Sequence, residues 1–177
     1  MNINRTFRFS VVLLLAIGWS CSPSAKEEKA PKQYSISQFM DIVQIGGSSF
    51  SPDENKILFS SKETGIFNAF EIDIKTGEKK QLTNSTTNAV FANSYFPEDN
   101  RIVVQSDKGG NEITHLFIRS QDGVMTDLIK DSTAKAQFYG WSYNKKLMYY
   151  ASNGRDKRFF DLYRVEVNKE KSEEKVF

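Results

Sequence analysis

The sequence predicts an all-β fold built from about three similar units, a partial β-propeller. Three observations predict it. A segment of 45 to 46 residues recurs along the chain, each copy has room for four short strands separated by turn-forming residues, and no convincing helical segment follows residue 20. The chain is 39% hydrophobic with 14 Phe and 7 Tyr, which is enough apolar material for a packed core and argues against disorder.

Residues 1–20 have the pattern of a secretory signal peptide. Arg5 and Arg8 form a basic start, and an unbroken apolar stretch runs from Val11 to Ile17. This stretch is too short to cross a bilayer core of roughly 30 Å as a stable helix, but its length suits an export signal. We therefore expect these residues to be removed from the exported protein.

The one cysteine, Cys21, comes directly after this segment. Its position resembles that of the lipidated cysteine of bacterial lipoproteins, although Gly18 stands where their pattern has Leu or another aliphatic residue. The alternative is ordinary signal cleavage nearby, which leaves Cys21 as a free thiol. Residues 21–35 are polar, without apolar periodicity, and are expected to be a solvated tether. Together they predict a periplasmic or surface lipoprotein of the bacterial cell envelope, held to a membrane by lipid on Cys21.

Charge excludes one class of partner. Without Arg5 and Arg8, the basic and acidic residues balance at 22 each. No basic block with interleaved aromatic residues remains, so nucleic acid is not expected as a partner.

The fold prediction depends on a repeated stretch that opens with an aromatic residue. Its copies are Phe50–Ile57, Tyr95–Ile102 and Trp141–Leu147, the last one residue shorter. Each copy continues through a polar turn into a short apolar run that favours a strand. Because the three aromatic residues recur at equivalent positions, we expect them to lie in the core between neighbouring units.

The rest of each copy follows in the same order. A glycine-containing loop leads to a second strand, and in the first two copies a Gly turn leads to an outer strand near Leu82 and Leu128. The predicted second strands are Phe70–Ile74, Leu116–Ile118 and Leu162–Val167. Four short strands in 40 to 50 residues is the size of a propeller blade.

Residues 36–177 are therefore predicted to form an incomplete β-propeller, with blades at about 44–87, 88–134 and 135–177. An evenly spaced β-sandwich is the alternative. Propellers have about 4 to 8 blades, and each blade buries its faces against its neighbours. Three blades leave two open faces, so we expect a fragment of a longer protein whose free chain self-associates or aggregates.

Two longer stretches resemble the propellers of prolyl oligopeptidase (S9) serine peptidases. Ser106–Phe117 is similar to their Asp-x-Gly-Gly-Asn-Glu-x-x-His-Leu segment, and Asn153–Tyr163 is similar to their Asn-Glu-Arg-Asp…Phe-Asp-Leu-Tyr segment, with Gly154 in place of the first Glu. The turn at Ser51–Asp53 resembles a repeat shared with TolB-like propellers. The resemblance covers the chain from about Tyr34 to Val167.

The S9 resemblance implies a non-catalytic propeller portion of an exported peptidase. In that family the propeller precedes an α/β-hydrolase domain with a Ser-Asp-His triad and admits only short peptides. The implied partners are thus peptides and a hydrolase domain that this chain lacks. No triad residue maps onto the chain, since Gly46–Phe50 and Gly140–Asn144 both lack the last glycine of a Gly-x-Ser-x-Gly elbow. The alternative is a TolB-like propeller that acts as a protein-binding module in the cell envelope.

The candidate functional residues are four polar residues in the S9-like stretches: Asn111, Glu112, Arg155 and Asp156. They either pair within or between blades, with Arg155 holding a carboxylate through two bonds, or contact substrate at the propeller mouth. No catalytic residue is assigned, because His115, the only histidine, lies in a predicted strand where a structural role is expected. One histidine and one cysteine do not make a usual zinc site, and turn carboxylates normally bond backbone N–H groups, so neither metal nor cofactor is expected.

Overall fold

The computed structural model describes residues 30–167 and 174–176. The predictions for the signal peptide, residues 1–20, and for lipidation of Cys21 lie outside these residues. The chain divides into two units, Met1–Met40 and Asp41–Phe177.

A short helix in the first unit was not expected from the sequence. Helix α1 spans Ile36–Met40. Ser35 Oγ accepts the N–H of Gln38 at 3.2 Å, and Gln38 Oε1 accepts the N–H of Ser35 at 3.0 Å. This reciprocal capping box starts a helix, and the Ser-x-x-Gln spacing was the signal that could have predicted it. Within the described residues, no helix is long and apolar enough to span a membrane.

The second unit consists of three four-stranded antiparallel sheets, in each of which the strands pair in chain order. Blade 1 contains β1 (Ile45–Phe50), β2 (Lys56–Ser61), β3 (Asn68–Asp73) and β4 (Lys79–Gln81). Blade 2 contains β5 (Val90–Tyr95), β6 (Ile102–Ser106), β7 (His115–Arg119) and β8 (Met125–Asp127). Blade 3 contains β9 (Ala136–Trp141), β10 (Leu147–Asp156), β11 (Phe159–Glu166) and β12 (Glu174–Lys175). The predicted all-β fold with three four-stranded units is confirmed.

The register of the first two strands is the same in every blade. The opening aromatic residue lies opposite one apolar residue of the next strand, in the pairs Phe50–Ile57, Tyr95–Ile102 and Trp141–Met148. The third copy is therefore not one residue shorter, which corrects the alignment made from the sequence. The turn explains why: Ser142 Oγ accepts the N–H of Leu147 at 2.9 Å, as Ser51 Oγ accepts that of Lys56 at 2.9 Å.

A bulge interrupts the first strand of each blade. The pairing of β1 shifts between Gly46 and Ser49, that of β5 shifts between Ala92 and Ser94, and that of β9 shifts where Tyr149 and Tyr150 meet it. A bulge bends its strand and increases the local twist. The bend therefore recurs at the same place in each blade.

The core consists of two clusters, one on each side of blade 2. The first joins blades 1 and 2 and contains Leu58, Ala69, Leu82, Val90, Ala92, Tyr95, Ile102 and Val104. The second joins blades 2 and 3 and contains Phe96, Val103, Leu116, Ile129, Ala134, Ala136, Met148, Tyr150 and Val165. Val103 and Val104 are neighbours in β6 but belong to different clusters, because side chains alternate between the two faces of a strand.

The expectation that all three opening aromatic residues lie between blades is right for two of them. Tyr95 is 3% exposed in the first cluster, and Trp141 packs against the second. Phe50 is 61% exposed, so the expectation is wrong there. Among the described residues, no other sheet packs on the side of blade 1 that carries the Phe50 ring.

Candidate functional site

One end of the three blades gathers the loops that carry the candidate residues. We call it the loop end: the β2–β3 loop (62–67), the β6–β7 loop (107–114), the β10–β11 hairpin (153–158) and the links between blades (82–89 and 128–135). Backbone bonds join these segments. The bonds are Val90 N–H to Phe67 O (2.8 Å), Ala136 N–H to Thr114 O (2.8 Å) and Asn153 N–H to Lys135 O (3.2 Å).

Asn111 and Glu112 lie together in the β6–β7 loop. Asn111 Oδ1 accepts the N–H of Ile113 at 3.0 Å, so its side chain shapes the loop. Glu112 has a φ of 60°, a left-handed conformation that non-glycine residues rarely adopt. Its N–H donates to Asp107 Oδ2 at 3.0 Å, and both Asn111 and Glu112 are exposed. The loop thus presents an amide and a carboxylate to solvent.

Arg155 holds a carboxylate within its own blade. Its Nε donates to Asp161 Oδ2 at 2.6 Å and its Nη2 donates to Asp161 Oδ1 at 2.9 Å. The side chain of Asp161 is 8% exposed, whereas that of Arg155 is 52% exposed. The hydrogen bonds from Arg155, with a weaker contribution from Lys175, lower the pKa of Asp161 to about 2. Sequence reasoning missed Asp161 as this partner, although it lies within the S9-like stretch.

Asp156 pairs with Arg158 across the tip of the same hairpin. Arg158 Nε and Nη2 donate to its two carboxylate oxygens at 3.0 and 2.7 Å. These bonds lower the pKa of Asp156 below its ordinary value. Among the described residues, the bonds of all four candidate residues stay within one blade. The structure therefore places Arg155 with Asp156 in blade 3, and Asn111 with Glu112 in blade 2.

A second set of polar contacts fastens the hairpin to the link between blades 2 and 3. Lys157 Nζ lies 2.8 Å from Asp131 Oδ2, and this bond holds the pKa of Asp131 well below its usual range. The buried Asn153 accepts the N–H of Lys135 at 2.7 Å and donates to Lys157 O at 3.2 Å. Beside the hairpin, a cleft of about 260 Å³ opens between the blades and is lined by Leu128, Ile129, Lys130, Asp131, Ala134, Tyr150, Ser152, Gly154 and Tyr163.

His115 is buried at the start of β7 and lies 2.7 Å, Nδ1 to Oδ2, from Asp127 of β8. Asp127 Oδ1 also accepts the N–H of Ile129 at 2.9 Å, so the pair ties the outer strand to the following link. Sequence reasoning expected a structural histidine but did not identify its partner Asp127. In the part of the chain that the structure describes, no group of three or more His, Cys, Asp or Glu residues could hold a metal ion.

The comparisons with known proteins place the fold among propellers. No protein-family model and no curated protein matches the sequence. Among solved structures, TolB from Acinetobacter baumannii is 17% identical with a TM-score of 0.58, over 75% of this chain and 32% of that one. A prolyl endopeptidase is 13% identical with a TM-score of 0.56, over 76% of this chain and 21% of that one. A TolB-like protein from Agrobacterium tumefaciens is 17% identical with a TM-score of 0.56, over 77% of this chain and 49% of that one.

These likenesses establish the fold. They include both kinds of propeller that the sequence resembles, TolB-like and S9, which confirms that resemblance at the level of fold. The chain spans less than half the length of each of these three structures.

Proposed function

We propose that this chain is the non-catalytic propeller portion of an exported S9-type serine peptidase, and that its loop end admits or binds peptides for a hydrolase domain. One observation supports this most. The two S9-like stretches, Ser106–Phe117 and Asn153–Tyr163, are far apart in the sequence but form loops of adjacent blades at the same end.

The contacts of the loop end suit a rigid rim with exposed polar groups. Arg155 donates two hydrogen bonds to Asp161 and so holds the β10–β11 hairpin in place. Lys108, Asn111 and Glu112 are exposed on the neighbouring loop and offer an ammonium, an amide and a carboxylate to a peptide backbone or terminus. We therefore assign the fixing role to Arg155 and the contacting role to the β6–β7 loop.

The proposed location is the bacterial cell envelope. The support is the signal-like segment of residues 1–20 and the position of Cys21 after it. Incorporation of labelled palmitate in a bacterial host, abolished in Cys21→Ser, is the expected result. Equal labelling of the variant, or none in either protein, contradicts the lipid anchor.

The second candidate is a TolB-like protein-binding module. It is favoured by the likeness to two TolB-type structures, each 17% identical to this chain, against 13% for the prolyl endopeptidase. In that case the loop end binds a folded protein and no hydrolase domain is needed.

The test is to express the gene with its downstream coding sequence and to treat the product with a fluorophosphonate, which labels nucleophilic serines. We expect a labelled product longer than this chain that cleaves short peptides but not an unfolded protein. A reading frame that stops without a hydrolase domain, and a product that stays unlabelled, would contradict the peptidase proposal and leave the binding module.

A further inference from the structure

A groove lies between blades 1 and 2, on the side of blade 2 that faces blade 1. Its volume is about 510 Å³, which is within the range of about 300–1,000 Å³ for pockets that bind small molecules. Residues of the link 82–89 line it together with Arg119, the last residue of β7, at the end of that strand away from the loop end. Its apolar lining includes Leu82, Phe117 and Met125. The groove therefore combines apolar side chains with an arginine.

Arg119 occupies a position that is apolar in the other two blades. In the register of the second and third strands, it corresponds to Ile72 of blade 1 and Val165 of blade 3. A half-buried cation at this place loses hydration, which is unfavourable unless an anion compensates it. The propeller repeat itself therefore does not require a charge here.

Arg119 is also the one described arginine that forms no ion pair with a described carboxylate. The other four do so: Arg101 with Asp99, Arg155 with Asp161, Arg158 with Asp156, and Arg164 with Glu174. Arg119 Nη1 donates to Ser120 O at 3.2 Å, its only hydrogen bond to a described residue. Asp122, in the same turn, instead accepts bonds from Ser120 Oγ and the N–H of Val124. Nε and Nη2 of Arg119 therefore remain to bind an anion.

The cross-strand neighbour of Arg119 is not acidic. In blade 3, Arg164 lies opposite Glu174 of the outer strand, and the two form an ion pair at 2.7 Å. In blade 2, Arg119 lies opposite Met125 of the outer strand. Residues directly opposite each other in an antiparallel pair are close enough for their side chains to interact. The place from which a carboxylate could neutralise Arg119 is thus taken by a thioether.

The equivalent groove between blades 2 and 3 is smaller. Its volume is about 260 Å³. There the rings of Tyr150 and Tyr163 stack with their centroids 5.4 Å apart, whereas blade 2 has Val104 and Phe117 at these two positions. Because valine is smaller than tyrosine, space remains beside Phe117. The wider groove and the arginine without a carboxylate therefore occur at the same boundary.

We propose that the groove between blades 1 and 2 binds a small molecule that combines a carboxylate with an apolar group. Nε and Nη2 of Arg119 donate to the carboxylate as a pair, the geometry in which arginine binds carboxylates most strongly. The apolar group lies against Leu82 and Phe117. A free organic acid and the carboxyl-terminal residue of a peptide share this chemistry. The inference concerns a different surface from the β6–β7 loop and does not depend on the peptidase proposal.

The test is the binding of two acids to the full chain, 3-phenylpropionate and N-acetylphenylalanine. Saturation-transfer NMR of the ligand measures it and also works on a chain that self-associates. The amides of the two acids are neutral controls of the same shape, and each should bind about tenfold more weakly than its acid because it forms no ion pair. Similar affinities of the two acids support the proposal with a free acid as ligand. A preference for N-acetylphenylalanine supports it with a peptide terminus.

Arg119→Ile tests the role of the guanidinium. Because blade 1 has isoleucine at this position, the variant should fold and keep the wild-type melting temperature, while its affinity for both acids falls by about tenfold or more. The matched control is Arg164→Ile, which removes an arginine that already has Glu174 as its partner and should keep the wild-type affinity. A purely structural Arg119 would give the opposite result, a lower melting temperature with unchanged affinity.

Met125→Glu tests the site without removing Arg119. The new carboxylate lies directly opposite Arg119, so it should pair with the guanidinium and weaken the binding of both acids by about tenfold or more. Met125→Gln has the same size without the charge and should bind the acids as the wild-type protein does. Met125 is 39% exposed, so both variants are expected to fold.

Three outcomes overturn the proposal: neither acid binds the wild-type chain, each acid binds no better than its amide, or Arg119→Ile and Met125→Glu bind the acids as the wild-type protein does. If circular dichroism shows that Arg119→Ile is unfolded, Met125→Glu compared with Met125→Gln decides. Failure of the peptidase proposal is recognised separately, because the serine probe reports on a hydrolase domain and not on this groove.

Discussion

At the scale of single residues, Glu71 places a buried carboxylate between blades 1 and 2. Its carboxylate accepts the hydroxyl of Tyr95 at 2.7 Å and lies 3.1 Å from the ammonium of Lys56. Burial and the bond to Glu71 raise the pKa of Tyr95 well above its usual range. A buried carboxylate is tolerated only when such donors surround it. The contact therefore specifies how the two blades meet.

Tyr95→Phe tests this contact. The change keeps the ring but removes the hydroxyl, so Glu71 loses a donor and the free energy of unfolding should fall by about 1–3 kcal/mol. Urea unfolding of the full chain measures it. The control, Tyr143→Phe at a fully exposed position, should change the free energy by less than about 0.5 kcal/mol. Equal effects of the two variants would show that the hydroxyl of Tyr95 contributes nothing.

The pair of Arg155 and Asp161 predicts a dependence on pH. Because the folded-state pKa of Asp161 is lowered from 3.8 to about 2, the pair stabilises the fold above pH 4 and loses this contribution as the pH falls towards 2. Arg155→Ala should lower the urea midpoint at neutral pH more than Arg158→Ala, whose partner Asp156 is more exposed. The difference in urea midpoint between the wild-type protein and Arg155→Ala should become smaller from pH 4 to pH 2. A difference that stays constant over this range would contradict the assignment of the stabilising ion pair to Arg155 and Asp161.

At the scale of elements, the turns and bulges make the blades alike. The β1–β2 and β9–β10 turns both use a serine whose hydroxyl accepts a backbone N–H and donates to Asp53 or Asn144. Blade 2 has Phe96 at that position and keeps only the backbone part of the closure: Phe96 N–H donates to Arg101 O at 2.8 Å, as Ser51 N–H and Ser142 N–H do in their own turns. The Phe96 ring is instead used in the core, 4.8 Å from the ring of Trp141. In the β5–β6 turn, a ring that packs between blades therefore takes the place of the serine hydroxyl that the other two turns use.

The bulge in β1 gives an element-scale prediction. Gly47 has a φ of 66°, and a Cβ there would lie 2.9 Å from the carbonyl oxygen of Ala92 in blade 2. Gly47→Ala should therefore cost about 1–3 kcal/mol of unfolding free energy, from the left-handed backbone and from the forced separation of the blades. Gly46→Ala is the matched control, since a Cβ there meets nothing within 4 Å. A similar loss in both variants would exclude the close approach as the cause.

At the scale of the whole molecule, the blades form a row in which blade 2 alone has both faces covered by described neighbours. Each core cluster spans one boundary between blades, so each blade depends on the blade beside it. A mutation at the boundary between blades 2 and 3 should therefore destabilise blade 3 more than blade 1. A mutation at the boundary between blades 1 and 2 should destabilise blade 1 more than blade 3.

Val103→Ala and Val104→Ala test this dependence, because the two residues are adjacent, fully buried and on opposite faces of β6. The free energy of unfolding of each variant should fall by about 2 kcal/mol, because methyl groups are removed and a cavity is left behind. Hydrogen exchange should accelerate in β9–β11 for Val103→Ala and in β1–β3 for Val104→Ala. The same exchange pattern in both variants would mean that the three blades unfold as one unit.

Much of the fold could be predicted from the sequence because its signals are local. Aromatic residues, turn-forming residues and short alternating strands recur at one spacing, and each acts within a few residues of its own position. The candidate site was predicted only in part. Arg155 was identified from the S9-like stretch, but Asp161 and Asp127 were not identified as partners, because strand pairing decides which carboxylate faces which donor.

By itself the sequence determined the class of fold, the number of strands in each blade and the loops that carry the polar residues. Only the tertiary structure decided that the third repeat keeps full register, that the four candidate residues bond within their own blades, and that Phe50 lies exposed while Tyr95 is buried. The physical reason is that equivalent residues in a repeat have the same local conformation, whereas their burial depends on whether another sheet packs against them.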